Sequence, residues 1–110
     1  MDMRGHLDLL LLATVGDTGP AHGYAIIASL RQRSRGVFDM PEGTIYPALH
    51  RLEREGLIAS QWDAAAARRR RVYRLTPAGA GALAAKREDW RSFARGVHAV
   101  LRNRVATDFG

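Results

Sequence analysis

The last third of the chain carries an apolar repeat that needs more surface than the rest of so short a chain can offer. Its members stand seven residues apart or at the intervening seam positions: Leu83, Trp90, Val97, Phe93 and Val100. This spacing is typical of a helix that packs along a second helix. Thr76 and Pro77 form a helix start signal and the pattern runs to about Asn103, so we predict one helix about 40 Å long. Because the chain has only 110 residues, we expect a second copy to cover this helix.

Three shorter helical patterns precede the repeat, and a glycine follows each of them. Apolar residues three and four apart predict helices over 4–15 and from 21 or 22 to 33. The third helix is expected to begin a residue or two before Pro47, where a missing N–H costs little, and to end at Gly56. The stripes predicted to be buried are Leu7, Leu10, Leu11, Thr14 and Val15 in the first helix, Tyr24, Ile27 and Ala28 in the second, with Ile26 and Leu30 beside them, and Ile45, Leu49 and Leu52 in the third.

Two stretches after the third helix have the composition of β-strands. They cover 57–62 and 69–75, and the small residues between them predict a hairpin. Alanines fill its tip from Ala64 to Ala67, although alanine is a poor turn former. The fold class is therefore mainly α with a small β-hairpin. The order of elements matches a winged helix-turn-helix in residues 1–75, followed by a dimerisation helix in 76–110.

The chain is basic, and its positive charge is concentrated at the hairpin. Seventeen Lys and Arg against eleven Asp and Glu give a net charge of +6, and Arg68 to Arg71 are consecutive. Guanidinium groups donate paired hydrogen bonds to phosphates and to guanine edges, and four adjacent like charges repel one another unless an anion is near. We therefore expect double-stranded DNA as a partner. The alternatives are a solvated basic loop and a general bias of the genome toward arginine.

The chain lacks the residues that several classes of function require. The absence of cysteine excludes disulfides, thiolate nucleophiles and most structural zinc sites. The four histidines are scattered and no catalytic pair or phosphate-binding loop is evident, so we expect no metal, no cofactor and no enzymatic activity. The apolar run over 7–15 is too short to span a bilayer and contains Asp8, so we expect no membrane span and a cytoplasmic location.

Three blocks of sequence narrow the interpretation. They are PAHGYAI at 20–26, PEGTIYPALHRLEREGL at 41–57 and RVYRLTPAG at 71–79. Together they strongly resemble the PadR family of transcriptional regulators, in particular its shorter members with a single helix after the wing. The resemblance implies a homodimer, a recognition helix around 44–55, a wing at the hairpin, and repression that a small-molecule effector relieves. The alanine-filled tip departs from the glycine and polar residues that relatives generally carry there.

The third helix and the hairpin supply the candidate DNA-binding residues. Thr44 and Tyr46 are expected near phosphates, and Arg51 or Arg54 at base edges. Packing against the wing is an equally good interpretation of Tyr46. The full set is Thr44, Tyr46, Pro47, His50, Arg51, Arg54, Arg68, Arg69, Arg70 and Arg71.

A second set of residues is predicted at an effector cavity or at the dimer interface: Leu11, Trp90, Phe93 and Val97. In drug-binding relatives of the PadR family, a tryptophan at a place similar to that of Trp90 lines a cavity at the dimer centre. Ordinary packing across the interface is the alternative. A different function also fits the composition, namely a winged helix that uses its arginines to bind an acidic protein and has no specific DNA target.

Overall fold

In the part of the chain that the structure describes, four helices and a small antiparallel sheet form the fold, which confirms the predicted fold class. The computed structural model describes residues 3–65 and 69–102. In chain order the elements are α1 (Met3–Thr18), β1 (Ala21–His22), α2 (Gly23–Arg33), α3 (Glu42–Arg54), β2 (Ile58–Trp62), β3 (Arg71–Leu75) and α4 (Pro77–Arg102). Asn103, where the sequence pattern ended, lies outside the described residues.

The core lies where the first three helices meet the sheet. Its buried apolar residues are Leu11, Leu12 and Val15 of α1, Ile26 and Leu30 of α2, Ile45, Ala48, Leu49 and Leu52 of α3, Ile58 and Tyr73 of the sheet, and Leu83 of α4. The prediction that Leu11 lies at a cavity or subunit interface is wrong, because its side chain is fully buried within its own chain. The predicted stripe of α2 is displaced as well, since Ile26 and Leu30 are buried whereas Tyr24 is 65% exposed.

The start of α3 also differs from the prediction. The helix begins at Glu42, so Pro47 stands inside it rather than near its first turn. The N–H groups of Thr44 and Ile45 donate to the carbonyl of Pro41, which closes the first turn. The missing N–H of Pro47 leaves the carbonyl of Gly43 without its helical donor. Gly43 is exposed, so water can hydrate that carbonyl and the helix continues.

The sheet has one strand more than the sequence predicts. Its order is β1-β3-β2, and all neighbours are antiparallel. The predicted hairpin is β2–β3, with Ile58 opposite Leu75 and Trp62 opposite Arg71. The short strand β1 pairs His22 with Val72, which ties the start of α2 to the hairpin. We call the hairpin and its connecting turn the wing.

Among the described residues, the buried residues of α4 lie near its start. Thr76 caps the helix as predicted, because its Oγ1 accepts the N–H of Gly79 at 3.0 Å. Gly79 and Leu83 are buried against the rest of the chain. Further along, the large apolar side chains are exposed: Trp90, Phe93, Val97, Val100 and Leu101. No helix in the described ranges 3–65 and 69–102 has both the length and the hydropathy needed to cross a bilayer.

Candidate nucleic-acid interface

A groove of about 490 Å³ separates α3 from the wing. Its nine lining residues come from the start of α2, the outer side of α3 and the wing: His22, Gly23, Tyr24, Tyr46, His50, Arg69, Arg70, Arg71 and Tyr73. Among the residues that the structure describes, none that lines the groove is acidic. We call it the cationic groove. It joins the two sequence segments in which DNA-binding residues were predicted, the third helix and the arginine run.

The exposed side of α3 carries most of the residues predicted there. Thr44, Pro47, His50 and Arg54 are exposed, and the apolar residues Ile45, Leu49 and Leu52 face the core. An α-helix of this kind can insert its polar side into a groove of DNA while its apolar side stays packed on the protein core. Contact of these four residues with DNA remains a prediction.

Arg51 does not lie on that exposed side, and its predicted placement is wrong. Its guanidinium group binds the carboxylate of Asp8 in α1 with two hydrogen bonds, of which the one from Nη1 is 3.0 Å long. The Arg51 side chain is only 16% exposed, and its Nη1 also lies 3.5 Å from a carboxylate oxygen of Glu55. The hydrogen bond to Asp8 is the main cause that raises the pKa of Arg51 above its ordinary value. The guanidinium group therefore fastens α3 to α1 instead of facing solvent.

Tyr46 packs on α2 and also faces the cationic groove. Its ring lies so close to Gly23 that a Cβ atom on that residue would overlap the ring. Burial, followed by the carboxylate of Glu42 and by Tyr24, raises the pKa of Tyr46 above its ordinary value. The phenol therefore keeps its proton at neutral pH. It can donate a hydrogen bond to an acceptor such as a phosphate oxygen.

Two of the wing arginines are ordered by a tryptophan that sequence reasoning missed. The guanidinium carbons of Arg69 and Arg71 lie 4.4 and 4.9 Å from the ring centre of Trp62. Such cation–π contacts restrict flexible side chains and keep their N–H donors exposed. Arg71 also donates from Nε to the hydroxyl of Ser60 at 2.9 Å. Arg68 lies outside the described residues.

His22 lines the cationic groove but was not among the predicted DNA-binding residues. Its Nδ1 accepts the N–H of Ala25 at 3.3 Å and so caps α2. Its Nε2 lies 3.2 Å from Nη1 of Arg70. His22 belongs to the block PAHGYAI at 20–26, just before Gly23 and Tyr24. Its place in that block was the signal that could have pointed to it.

The turn of the wing is described only in part. Asp63 supplies the turn chemistry that alanine lacks, because its Oδ1 accepts the N–H of Ala65 at 3.0 Å. Ala64 and Ala65 are exposed, and the alanines at 66 and 67 lie outside the described residues. Within the described part of the chain, no three acidic or histidine side chains come together as metal ligands.

Comparison with known proteins gives the family. The sequence model of the transcriptional regulator PadR-like family matches residues 11–85. The chain is 45% identical over 67 residues to a transcriptional regulator of Mycobacterium tuberculosis, a match that covers 61% of this chain and 63% of that protein.

Solved structures agree with this assignment. A PadR family transcriptional regulator from Eggerthella lenta is 35% identical with a TM-score of 0.77, and the match covers 89% of this chain and 83% of that one. A PadR family regulator from the hypervirulent Clostridium difficile R20291 is 31% identical with a TM-score of 0.74, covering 87% and 98% of the two chains. The chain therefore belongs to the PadR-like family of transcriptional regulators.

Proposed function

We propose that this chain binds DNA as a homodimer and represses transcription from an inverted-repeat operator. The observation that carries the proposal is the cationic groove, in which the exposed side of α3 and the arginines of the wing meet without an acidic neighbour among the described lining residues. A surface that offers many N–H donors and no carboxylate is complementary to a row of phosphates.

In this proposal α3 is the recognition helix and enters the major groove. A major groove is about 12 Å wide and admits one helix. Thr44, Pro47 and His50 are exposed along the side that would face the bases. Arg54 takes the role of base reader, since it is exposed whereas Arg51 is held by Asp8.

The wing would lie along the DNA backbone beside the recognition helix. Arg69 and Arg71 are spread over the Trp62 ring, so little side-chain entropy is lost when they bind phosphates. Backbone contacts of this kind fix the register of a protein on DNA and do not select sequence. We include Arg68 in this role because it continues the run.

The exposed part of α4 would pair with the same helix of a second copy. Trp90 is 42% and Val100 75% exposed, and such a row of large apolar side chains is costly to leave in water. Trp90 and Phe93 contact each other with ring centres 5.8 Å apart, which gives the seam an aromatic centre. In the proposed dimer, residues 1–75 bind DNA and 76–110 join the copies, with the recognition helices about 34 Å apart.

A small molecule bound near Trp90 at the dimer centre would relieve repression. A shallow apolar groove of about 470 Å³ beside Phe93 and Val97 provides surface for such a ligand. Aromatic side chains lining apolar clefts are common in small-molecule sites. A regulator of this kind acts on the chromosome, so we place it in the cytoplasm.

Binding to duplex DNA tests the function. We expect the logarithm of the binding constant to fall linearly with the logarithm of salt concentration, with a slope of roughly −5 for about six phosphate contacts. The double variant Arg69→Ala/Arg71→Ala should flatten this slope by about two and weaken binding to all duplexes alike. The measurement is fluorescence anisotropy at a series of salt concentrations, on operator fragments selected from genomic DNA and on mixed sequence.

A charge-matched control separates the groove from net charge. The variant Arg87→Ala/Arg91→Ala removes the same charge from exposed positions of α4. It should leave the slope close to that of the unaltered protein. If both double variants flattened the slope equally, binding would follow net charge and the assigned surface would be wrong. Binding of an acidic protein with no affinity for any duplex would favour the interaction-module alternative.

The dimer is tested by charge introduced into the seam. We expect Val97→Asp to convert a dimer into monomers at micromolar concentration, because two carboxylates would be buried opposite each other. Ala99 is exposed on the opposite side of α4, so Ala99→Asp adds the same charge and should leave the dimer intact. Sedimentation velocity gives the oligomeric state of each. A Val97→Asp protein that still sediments as a dimer would place the interface elsewhere.

A further inference from the structure

The helix cap of α2 favours one tautomer of His22. A neutral imidazole ring has one nitrogen that donates and one that accepts. Nδ1 of His22 faces the N–H of Ala25 at 3.3 Å, and only an unprotonated nitrogen can accept that hydrogen bond. A neutral ring that keeps this cap carries its proton on Nε2. The ring thus presents a donor on the side away from α2.

That donor faces a second donor. Nη1 of Arg70 lies 3.2 Å from Nε2 of His22, and a guanidinium group has no acceptor. The two N–H groups cannot satisfy each other while the cap is kept. They can both be satisfied by one acceptor placed beside them, and an anionic oxygen is the strongest acceptor available.

The backbone on both sides of this donor pair is tied to the sheet. His22 pairs with Val72 in the β1–β3 ladder, and the adjacent Ala21 pairs with the buried Tyr73. Arg70 stands two residues before Val72 and is held by the hydrogen bond from the N–H of Asp63 to its carbonyl. The pair therefore projects from anchored backbone into the cationic groove, where no described lining residue is acidic.

We propose that His22 and Arg70 together bind one backbone phosphate of duplex DNA, with His22 donating from Nε2 while its Nδ1 caps α2. The inference rests on the proposed function. It adds to that function an uncharged side chain, His22, that binds a phosphate and lies outside the recognition helix and the arginine run. The group bound by the donor pair is a phosphodiester of the DNA backbone. The groove continues along α3 and the wing, so its shape suits an extended nucleic-acid strand better than a single ion.

Two substitutions at one position separate the cap from the donor. Asparagine is a good N-cap, and its short side chain cannot reach Arg70, so His22→Asn keeps the helix cap and loses the distal N–H. We expect its melting temperature to stay within about 2 °C of the parent and its affinity for a mixed-sequence duplex to fall about tenfold. Glutamine places an N–H near the position of Nε2 and caps poorly, so His22→Gln should lose stability and retain affinity within about threefold.

Salt dependence distinguishes the histidine from a simple cation. His22→Asn removes no charge from a neutral ring, so its salt slope should equal that of the parent at lower affinity. Arg70→Ala should flatten the slope by about one. Because the two side chains share one phosphate, the double variant should bind only slightly more weakly than Arg70→Ala alone. Full duplex affinity of His22→Asn, in a protein that otherwise shows the expected salt dependence, would overturn this inference and leave the proposed function standing.

Nitrogen NMR of the imidazole ring supplies a readout that does not depend on affinity. In mildly alkaline buffer we expect the spectrum of His22 to report a proton on Nε2, and addition of duplex should shift this nitrogen strongly. A proton on Nδ1 would overturn the inference. Equal shifts with inorganic phosphate at the same concentration would show a site for free anions and contradict the assignment to the DNA backbone. A chain that binds no duplex at any salt concentration would remove the proposed function and this inference together.

Discussion

Replacing Asp8 with alanine is expected to lower the free energy of unfolding by about 3 kcal/mol. The substitution leaves the guanidinium of Arg51, which is only 16% exposed, without its bidentate partner. Glu55 at 3.5 Å remains as a weaker neighbour, which keeps the loss at the lower end of what a buried pair costs. Denaturant unfolding with linear extrapolation measures the change.

An exposed ion pair in the same chain provides the control. Arg33 and Asp17 also contact each other, but their side chains are 43% and 60% exposed. The substitution Asp17→Ala should therefore cost less than about 1 kcal/mol, because solvent screens the pair. A double-mutant cycle on Asp8→Ala and Arg51→Ala should show strong coupling. Additive losses in that cycle would mean that the two side chains stabilise the fold independently, contrary to the contact in the structure.

The second large effect is expected at Gly79, where alanine should cost about 3 kcal/mol although it favours helix. A Cβ atom at this position would overlap the backbone carbonyl oxygen of Leu57 and would press on the side chain of Leu75. That carbonyl also accepts the N–H of Thr76 at 3.2 Å, so it cannot move without disturbing the start of α4. Thermal and denaturant unfolding of Gly79→Ala should both show the loss.

Gly81 lies two residues further along the same helix and gives the opposite expectation. No atom stands within 4 Å of a Cβ built there, so alanine meets only open space. Gly81→Ala should raise the free energy of unfolding by about 0.5 to 1 kcal/mol through helix propensity alone. Equal effects at the two glycines would mean that α4 does not begin against the end of α3 and the start of β2 as described.

Features that depend on neighbours in the chain were predictable from sequence. The apolar seam of α3 and the cap of α4 are both read from residues three or four apart, and Ile45, Leu49 and Thr76 behave as expected. The three sequence blocks that resemble the PadR family were also recognisable, because each consists of consecutive residues. The start of α3 was misplaced because proline is usually excluded from a helix interior, and the solvated carbonyl of Gly43 was not apparent from the sequence.

Features that depend on contacts between distant residues could not be predicted in this way. Arg51 has the same helical spacing as an exposed residue at the margin of the seam, and only the approach of Asp8, 43 positions earlier, turns it inward. Leu11 was assigned both to the buried stripe of the first helix and to an interface, and in the structure it belongs to the chain's own core. Strand β1 has two residues, too few for any periodicity, so the place of His22 beside Arg70 was not visible.

One turn of α1 contacts both the helix proposed to form the dimer, α4, and the helix proposed to bind DNA, α3. His6 meets the ring of Trp90 edge-on at 5.6 Å between ring centres, and two positions later Asp8 holds Arg51. Both α4 and α3 are thus contacted by neighbouring residues of α1, through His6 and Asp8. Because Trp90 and Arg51 are contacted from the same turn of α1, the middle of α4 and the side of α3 that carries Arg51 share one point of support within the monomer.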